Sequence, residues 1–113
     1  MRALIADDEL EVLNVVSEMV FSVGYHRIDR VCDGHAAQLL SGIHYDLVLL
    51  DINMAGTDGI NGVDAAHLIK AFGSQAKIIM MTGYSNMDTN GFYVLSKPFT
   101  TKELLAAITA SGE

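Results

Sequence analysis

An α/β fold, with a parallel sheet covered on both faces by helices, is predicted by three observations on this 113-residue chain. Apolar runs alternate with stretches of helical period about five times. The apolar runs are continuous rather than alternating, which is the mark of strands buried on both faces. Half of the residues are apolar, enough to give one compact domain over residues 1–113 a real core.

Each element has its own signal. Ala3 to Ala6 is a short apolar strand that ends on Asp7 and Asp8. From Glu9 to Val23, Leu13, Val16, Val20 and Val23 recur at steps of three and four, one stripe of a helix that Gly24 ends as C-cap. Arg27 to Cys32 alternates as a second strand with Ile28 and Cys32 inward, and Ala36 to Leu40 carries a short helix stopped by Gly42. "DLVLL" (Asp46 to Leu50) is the third strand, followed by Asp51. Val63 to Phe72 is helical up to Gly73, Lys77 to Met81 is the fourth strand, and Phe92 to Ser96 the fifth. The last helix opens on a capping box of Thr100 and Glu103 and turns Leu104, Leu105 and Ile108 to the core.

Composition narrows the function classes. A net charge of −7 argues against nucleic acid, because no surface here could neutralise a row of phosphates. His26, Arg27 and Arg30 form only a loose basic cluster, read as a solvated face. One cysteine, Cys32, excludes an internal disulfide framework, suits a reducing cytoplasm and reads as a buried, inert thiol. No apolar run approaches the ~20 residues that span a bilayer, and the N-terminus enters a strand pattern without a signal sequence. His26, His35, His44 and His67 lack partners at metal-binding spacing and read as surface groups; the six methionines read as core filler.

In a parallel sheet the strands' carboxyl ends share one edge, where ligands bind. The residues at those ends are Asp7 and Asp8, Asp51, Thr82 and Lys97. Three carboxylates repel one another unless a cation relieves them, and Mg²⁺ with oxygen ligands is the intracellular choice. A carboxylate held beside a divalent ion, a lysine and a hydroxyl is suited to accept a phosphoryl group as an acyl phosphate. Singly, each residue has a plainer reading: Asp7 and Asp8 as helix caps, Asp51 and Thr82 as turn residues, Lys97 as a solvated lysine. Four strand ends carrying such residues at once favour a site.

These residues resemble the receiver domain of two-component response regulators. "ALIADDE", "DLVLLDINM", "IIMMTG" and "LSKPF" fall in that family's order and span nearly the whole chain. The resemblance implies a flavodoxin-like doubly wound sheet of five strands in the order 2-1-3-4-5. It implies Asp51 as phosphoacceptor, Asp8 as a direct Mg²⁺ ligand, Asp7 acting mostly through metal-bound water, and the backbone carbonyl of Asn53 as a further ligand. Thr82 and Lys97 match the family's hydroxyl and lysine, and Pro98 a proline preceded by a cis peptide. The partners implied are a histidine kinase or histidine phosphotransfer protein, docking at the first helix, and a downstream protein target. The domain is then a phosphoacceptor rather than a turnover enzyme.

The chain departs from the family pattern at three places. Ala55 stands where a proline is usual, and both Asp58-Gly59 and Asn61-Gly62 are present, implying an insertion at Thr57 to Ile60. Tyr84 to Gly91 leaves eight residues for a fourth helix, against a mean of ~11, so that helix is expected to be short or missing, as in receivers of hybrid histidine kinases. Val94 occupies the place of the switch aromatic. Tyr84, two residues past Thr82, is expected over the phosphoryl site, hindering water, or else in the core. Rival readings are a haloacid-dehalogenase-type phosphatase, which needs an aspartate where Asn53 stands; a degenerate receiver; and a flavodoxin-like cofactor carrier, which needs a phosphate loop absent after the first strand.

Overall fold

The computed structural model describes residues 1–32, 43–51, 76–83 and 93–111. Five strands, β1 (Arg2–Ala6), β2 (Arg27–Val31), β3 (Leu47–Asp51), β4 (Lys77–Thr82) and β5 (Tyr93–Ser96), form one sheet in the order β2-β1-β3-β4-β5. Every pairing is parallel, with Ala6 opposite Val31 and Leu50, Asp51 opposite Met81, and Thr82 opposite Ser96. This is the expected doubly wound order. The helices expected at Ala36 to Leu40 and Val63 to Phe72 lie outside the described residues, as do the Thr57 to Ile60 insertion, the Tyr84 to Gly91 segment, His35 and His67.

The central strands β1, β3 and β4 are buried on both faces because their apolar runs are unbroken, whereas the edge strands β2 and β5 keep residues exposed. Ala3, Ile5, Leu47, Leu49, Ile79, Met81 and Leu95 pack on one face with the helices α1 (Leu10–Ser22) and α2 (Thr101–Ser111). Leu4, Ala6, Val48, Leu50, Ile78 and Met80 pack on the other with Tyr45 and Ala76. Successive residues point to opposite faces, so this odd–even division follows from the pleat.

Helix α1 buries Leu13, Val16 and Val20, three members of the expected stripe. It ends in a full Schellman motif: Tyr25 N–H donates to the Val20 carbonyl at 3.2 Å and Gly24 N–H to Phe21 at 3.1 Å. That turn holds Gly24 at φ 111°, a left-handed conformation that side chains rarely adopt. At the start of α2, Glu103 N–H donates to Thr100 Oγ1 at 3.1 Å and Thr100 N–H to Glu103 Oε1 at 2.9 Å, the expected reciprocal cap.

Three expectations are corrected. Leu105 is half exposed; the inward face of α2 is Leu104, Ala107 and Ile108, because a three-then-one step returns to the same side and the small Ala107 carries too little hydropathy to show it. Cys32 is exposed, not buried, because β2 ends at Val31 and strand alternation no longer governs the next residue. Strands β3 and β4 run one residue further than expected, so Asp51 and Thr82 are the last residues of their strands rather than the first beyond them.

Candidate functional site

The pleat and the parallel register together decide which polar residues meet. Asp7 continues the odd-numbered face of β1, and its N–H extends the ladder to the Val31 carbonyl at 3.1 Å. Asp51 falls on the same face at the end of β3, beside β1 in the sheet. Lys97 follows Ser96 on β5, and its backbone N–H donates to the Thr82 carbonyl at 2.6 Å, fixing the residue to the end of β4. Its ammonium then reaches across to both carboxylates, 3.0 Å from Asp7 Oδ2 and 3.4 Å from Asp51 Oδ2.

These groups are largely dry: Asp7 and Thr82 are fully buried and Asp51 is 4% exposed, while Asp8 reaches solvent. One oxygen from each of Asp7, Asp8 and Asp51 lies within 4.8 Å of the other two. Asp7 is also held from below, its Oδ1 accepting the Glu9 N–H at 2.9 Å. Burial acts against the charge of Lys97, but its hydrogen bond to Asp7 and the negative charges of Asp51 and Asp7 outweigh burial and hold the ammonium above its ordinary value of 10.5.

Beside the carboxylates, a groove of about 750 Å³ runs between α1 and the segment following β5. Its floor is apolar, with Val12, Met19 and Phe99; Asp51 and Lys97 open onto it, and Glu9 and Glu11 line it from α1. The sequence reading passed over these two glutamates; the signal was a glutamate at the cap position itself, where small polar residues are favoured.

Of the sequence-predicted residues, Asp7, Asp8, Asp51 and Lys97 come together, and Thr82 joins them through the end of β4. The Lys97–Pro98 peptide is cis and Pro98 lines the groove. Val94 pairs with Met80 and packs, partly buried, against the second core face. Asn53 and Tyr84 lie outside the described residues.

A doubly wound parallel sheet that gathers three carboxylates and a lysine at its carboxyl edge, with Thr82 closing the adjoining strand, carries there the oxygen donors that a cation requires. The chain belongs to the response regulator receiver domain family, which matches residues 3–109. It is 35% identical to the transcriptional regulatory protein PdtaR of Mycobacterium tuberculosis, covering 95% of this chain and 54% of that protein. It resembles the receiver domain of the sensor histidine kinase PA1611 of Pseudomonas aeruginosa, solved with magnesium in its active-site cleft, at TM-score 0.83 and 26% identity, over 99% of this chain and 98% of that one. A response regulator receiver protein of Sinorhizobium medicae shares the fold at TM-score 0.86 and 24% identity, over 98% of this chain and 93% of that one.

The chain spans about half the length of the curated relatives it matches. Those relatives are named transcriptional regulatory proteins, so the exclusion of nucleic acid drawn from composition is not supported. No helix among the described residues is long and apolar enough to cross a membrane.

Proposed function

We propose that residues 1–113 form one receiver domain that works in the cytoplasm and takes a phosphoryl group on Asp51 from a phosphohistidine of a histidine kinase or phosphotransfer protein. The observation that carries this reading is the convergence of Asp7, Asp8 and Asp51 within 4.8 Å, with the Lys97 ammonium shared between two of them. The donor set is all oxygen and strongly acidic, which suits a hard divalent cation such as Mg²⁺. Asp8, Asp51 and the Asn53 carbonyl would hold it, with Asp7 acting mostly through its waters. Bound there, Mg²⁺ supplies charge neutralisation to the carboxylates and to the transferring group.

A carboxylate oxygen of Asp51 forms the new bond to phosphorus as the P–N bond to the donor imidazole breaks. The bonding electron pair leaves on the imidazole nitrogen, whose ring, protonated at its other nitrogen, departs neutral. Lys97 turns its ammonium to a phosphoryl oxygen, and Thr82 donates its hydroxyl to another; both aim at charge that spreads outward during transfer. Water later cleaves the acyl phosphate, restoring the carboxylate and releasing inorganic phosphate. Tyr84 and Val94 tune the lifetime and read-out of this state, and output passes to a protein target by contact. On this reading the domain resets itself once per phosphorylation and turns over no separate substrate.

The test is incubation with Mg²⁺ and acetyl phosphate, followed by intact-mass analysis, with Mg²⁺ titrated in parallel. A phosphoryl adduct that needs Mg²⁺ and vanishes in Asp51→Ala is expected. An adduct that survives Asp51→Ala would overturn Asp51 as the phosphoacceptor, and a wild-type protein that neither labels nor binds Mg²⁺ would show a degenerate receiver instead.

A further inference from the structure

Helix α1 has two flanks with different surroundings. Val12, Val15 and Met19 line the groove beside Asp51, whereas Asn14, Ser17, Glu18 and Phe21 lie on the opposite flank and border the edge strand β2. On that second flank, helix and strand meet in three successive rungs. Phe21 lies against the His26 ring with centroids 4.5 Å apart, Ser17 and Glu18 stand beside Ile28, and Arg30 Nη1 donates to Asn14 Oδ1 at 2.7 Å. The middle rung opens as a shallow, mainly apolar groove of about 360 Å³.

This seam is unfinished in a single chain. Phe21 stays 55% exposed although its ring already has an aromatic neighbour. Ser17 Oγ is buried with no hydrogen-bond partner among the described residues, which a completed core rarely allows. Glu18 on the helix side and Arg30 on the strand side have no ion-pair partner among the described residues. A patch with one sign of charge on each side of an apolar groove can complement itself, as an isologous interface requires. A two-fold axis along the seam lays the helix side of one copy over the strand side of the other. Glu18 of each copy then meets Arg30 of the other, and each Phe21 covers the groove beside the other's Ile28. A surface of one charge sign would gain on one side of the seam and lose on the other.

We propose that the seam between α1 and β2 is a contact between two copies of this chain related by a two-fold axis. A net charge of −7 makes two copies repel, so their contact falls where positive charge gathers, and β2 with Arg27, Arg30 and the adjoining His26 is such a place. The contact is a few side chains long, so association is weak, with a dissociation constant on the order of 100 μM. The groove beside Asp51 lies on the other flank of α1 and stays open in both copies, and the contact does not depend on the phosphoacceptor reading.

Sedimentation velocity from about 10 μM to about 1 mM brackets that constant, and the wild type should pass from monomer to dimer over the range. Glu18→Arg alone and Arg30→Glu alone should each stay monomeric, because each sets like charges opposite one another at both symmetry-related contacts. Mixed in equal amounts, the two variants should associate, since each supplies the charge that the other lacks. Both substitutions in one chain should likewise restore the dimer. Phe21→Ser should weaken association by about ten-fold. Circular dichroism checks that each variant is folded. A wild type that is monomeric throughout the range, single charge variants that dimerise as the wild type does, or a mixture that fails to associate would each overturn the proposal.

Discussion

The two ends of the sheet solve the problem of charge in opposite ways. At the amino edge, Asp29 Oδ2 accepts three hydrogen bonds, from Arg2 Nε at 3.0 Å, Arg2 Nη2 at 2.8 Å and the Tyr45 hydroxyl at 2.7 Å. The Arg2 guanidinium also lies over the Tyr45 ring, and Asp46 Oδ2 accepts the Arg2 backbone N–H at 2.8 Å. At the carboxyl edge, three carboxylates crowd within 4.8 Å and divide one ammonium. The first edge supplies its own donors and closes on itself. The second is short of positive charge by construction, and that shortage is its capacity to take a cation. Substitutions at the two edges should therefore differ in sign as well as in size.

The largest effect is expected at Lys97. Lys97→Met leaves Asp7 and Asp51 facing each other in a dry site without the ammonium, and breaking a buried pair in this way costs about 3 kcal/mol. Urea unfolding in EDTA should show that loss, and saturating Mg²⁺ should recover a large part of it. A loss that Mg²⁺ does not touch would mean that Lys97 and the cation do not answer the same carboxylates.

Single aspartate-to-asparagine changes test the sign. Asp8→Asn relieves like-charge crowding, so the metal-free protein should melt about 2 °C higher and gain less from added Mg²⁺. Asp29→Asn removes the charge that Arg2 and Tyr45 serve, and should lower stability by about 1 kcal/mol. Thermal melts with and without Mg²⁺ read both, and two shifts of the same sign would break the contrast between the edges.

Asp29 at the amino edge and Lys97 at the carboxyl edge titrate at opposite ends of the pH range. The Tyr45 hydroxyl hydrogen bond works against burial, and with Arg2 holds the Asp29 carboxyl below its ordinary 3.8. Its contribution is complete above 3.8 and is lost as pH falls through the folded value. Lys97 is held above 10.5, so its contribution is complete below 10.5 and is lost as pH rises through the folded value. Asp29→Asn should flatten the acid limb of a stability–pH curve and Lys97→Met the alkaline limb, as read from urea midpoints.

Much of the carboxyl edge was legible in the sequence, because continuous apolar runs mark β1, β3 and β4 and each run stops on a polar residue. The topology then brings Asp7, Asp51 and Lys97 together whatever their separation along the chain. The division of the Lys97 ammonium between Asp7 and Asp51 was not legible, since it depends on register and pleat, nor was the Glu9 N–H beneath Asp7. The amino edge was almost invisible. Arg2, Asp29 and Tyr45 look like a solvated cation, a strand polar residue and a loop aromatic, and only the pairing of β1 with β2 and β3 makes them one cluster. Hydropathy reads residues one at a time, so it finds sites at the ends of runs and misses networks built across them.

A smaller effect than at Lys97 is expected from Tyr45→Phe, and it isolates the amino edge. Tyr45 is buried with its ring under Arg2, so the substitution keeps the packing and removes only the 2.7 Å hydrogen bond to Asp29. The loss should be about 1 kcal/mol at neutral pH. Burial and the Asp29 hydrogen bond hold the Tyr45 hydroxyl well above its ordinary 10.0, so its contribution is complete below 10.0 and lost as pH rises through the folded value. The variant should accordingly lose part of the alkaline limb that Lys97 and Tyr45 share, and also part of the acid limb, because Asp29 no longer has its strongest partner. Mg²⁺ binding and phosphoryl labelling should stay at wild-type levels. If Tyr45→Phe changes labelling, the two edges are coupled through β1 and β3, and the amino edge is then part of the switch rather than only its anchor.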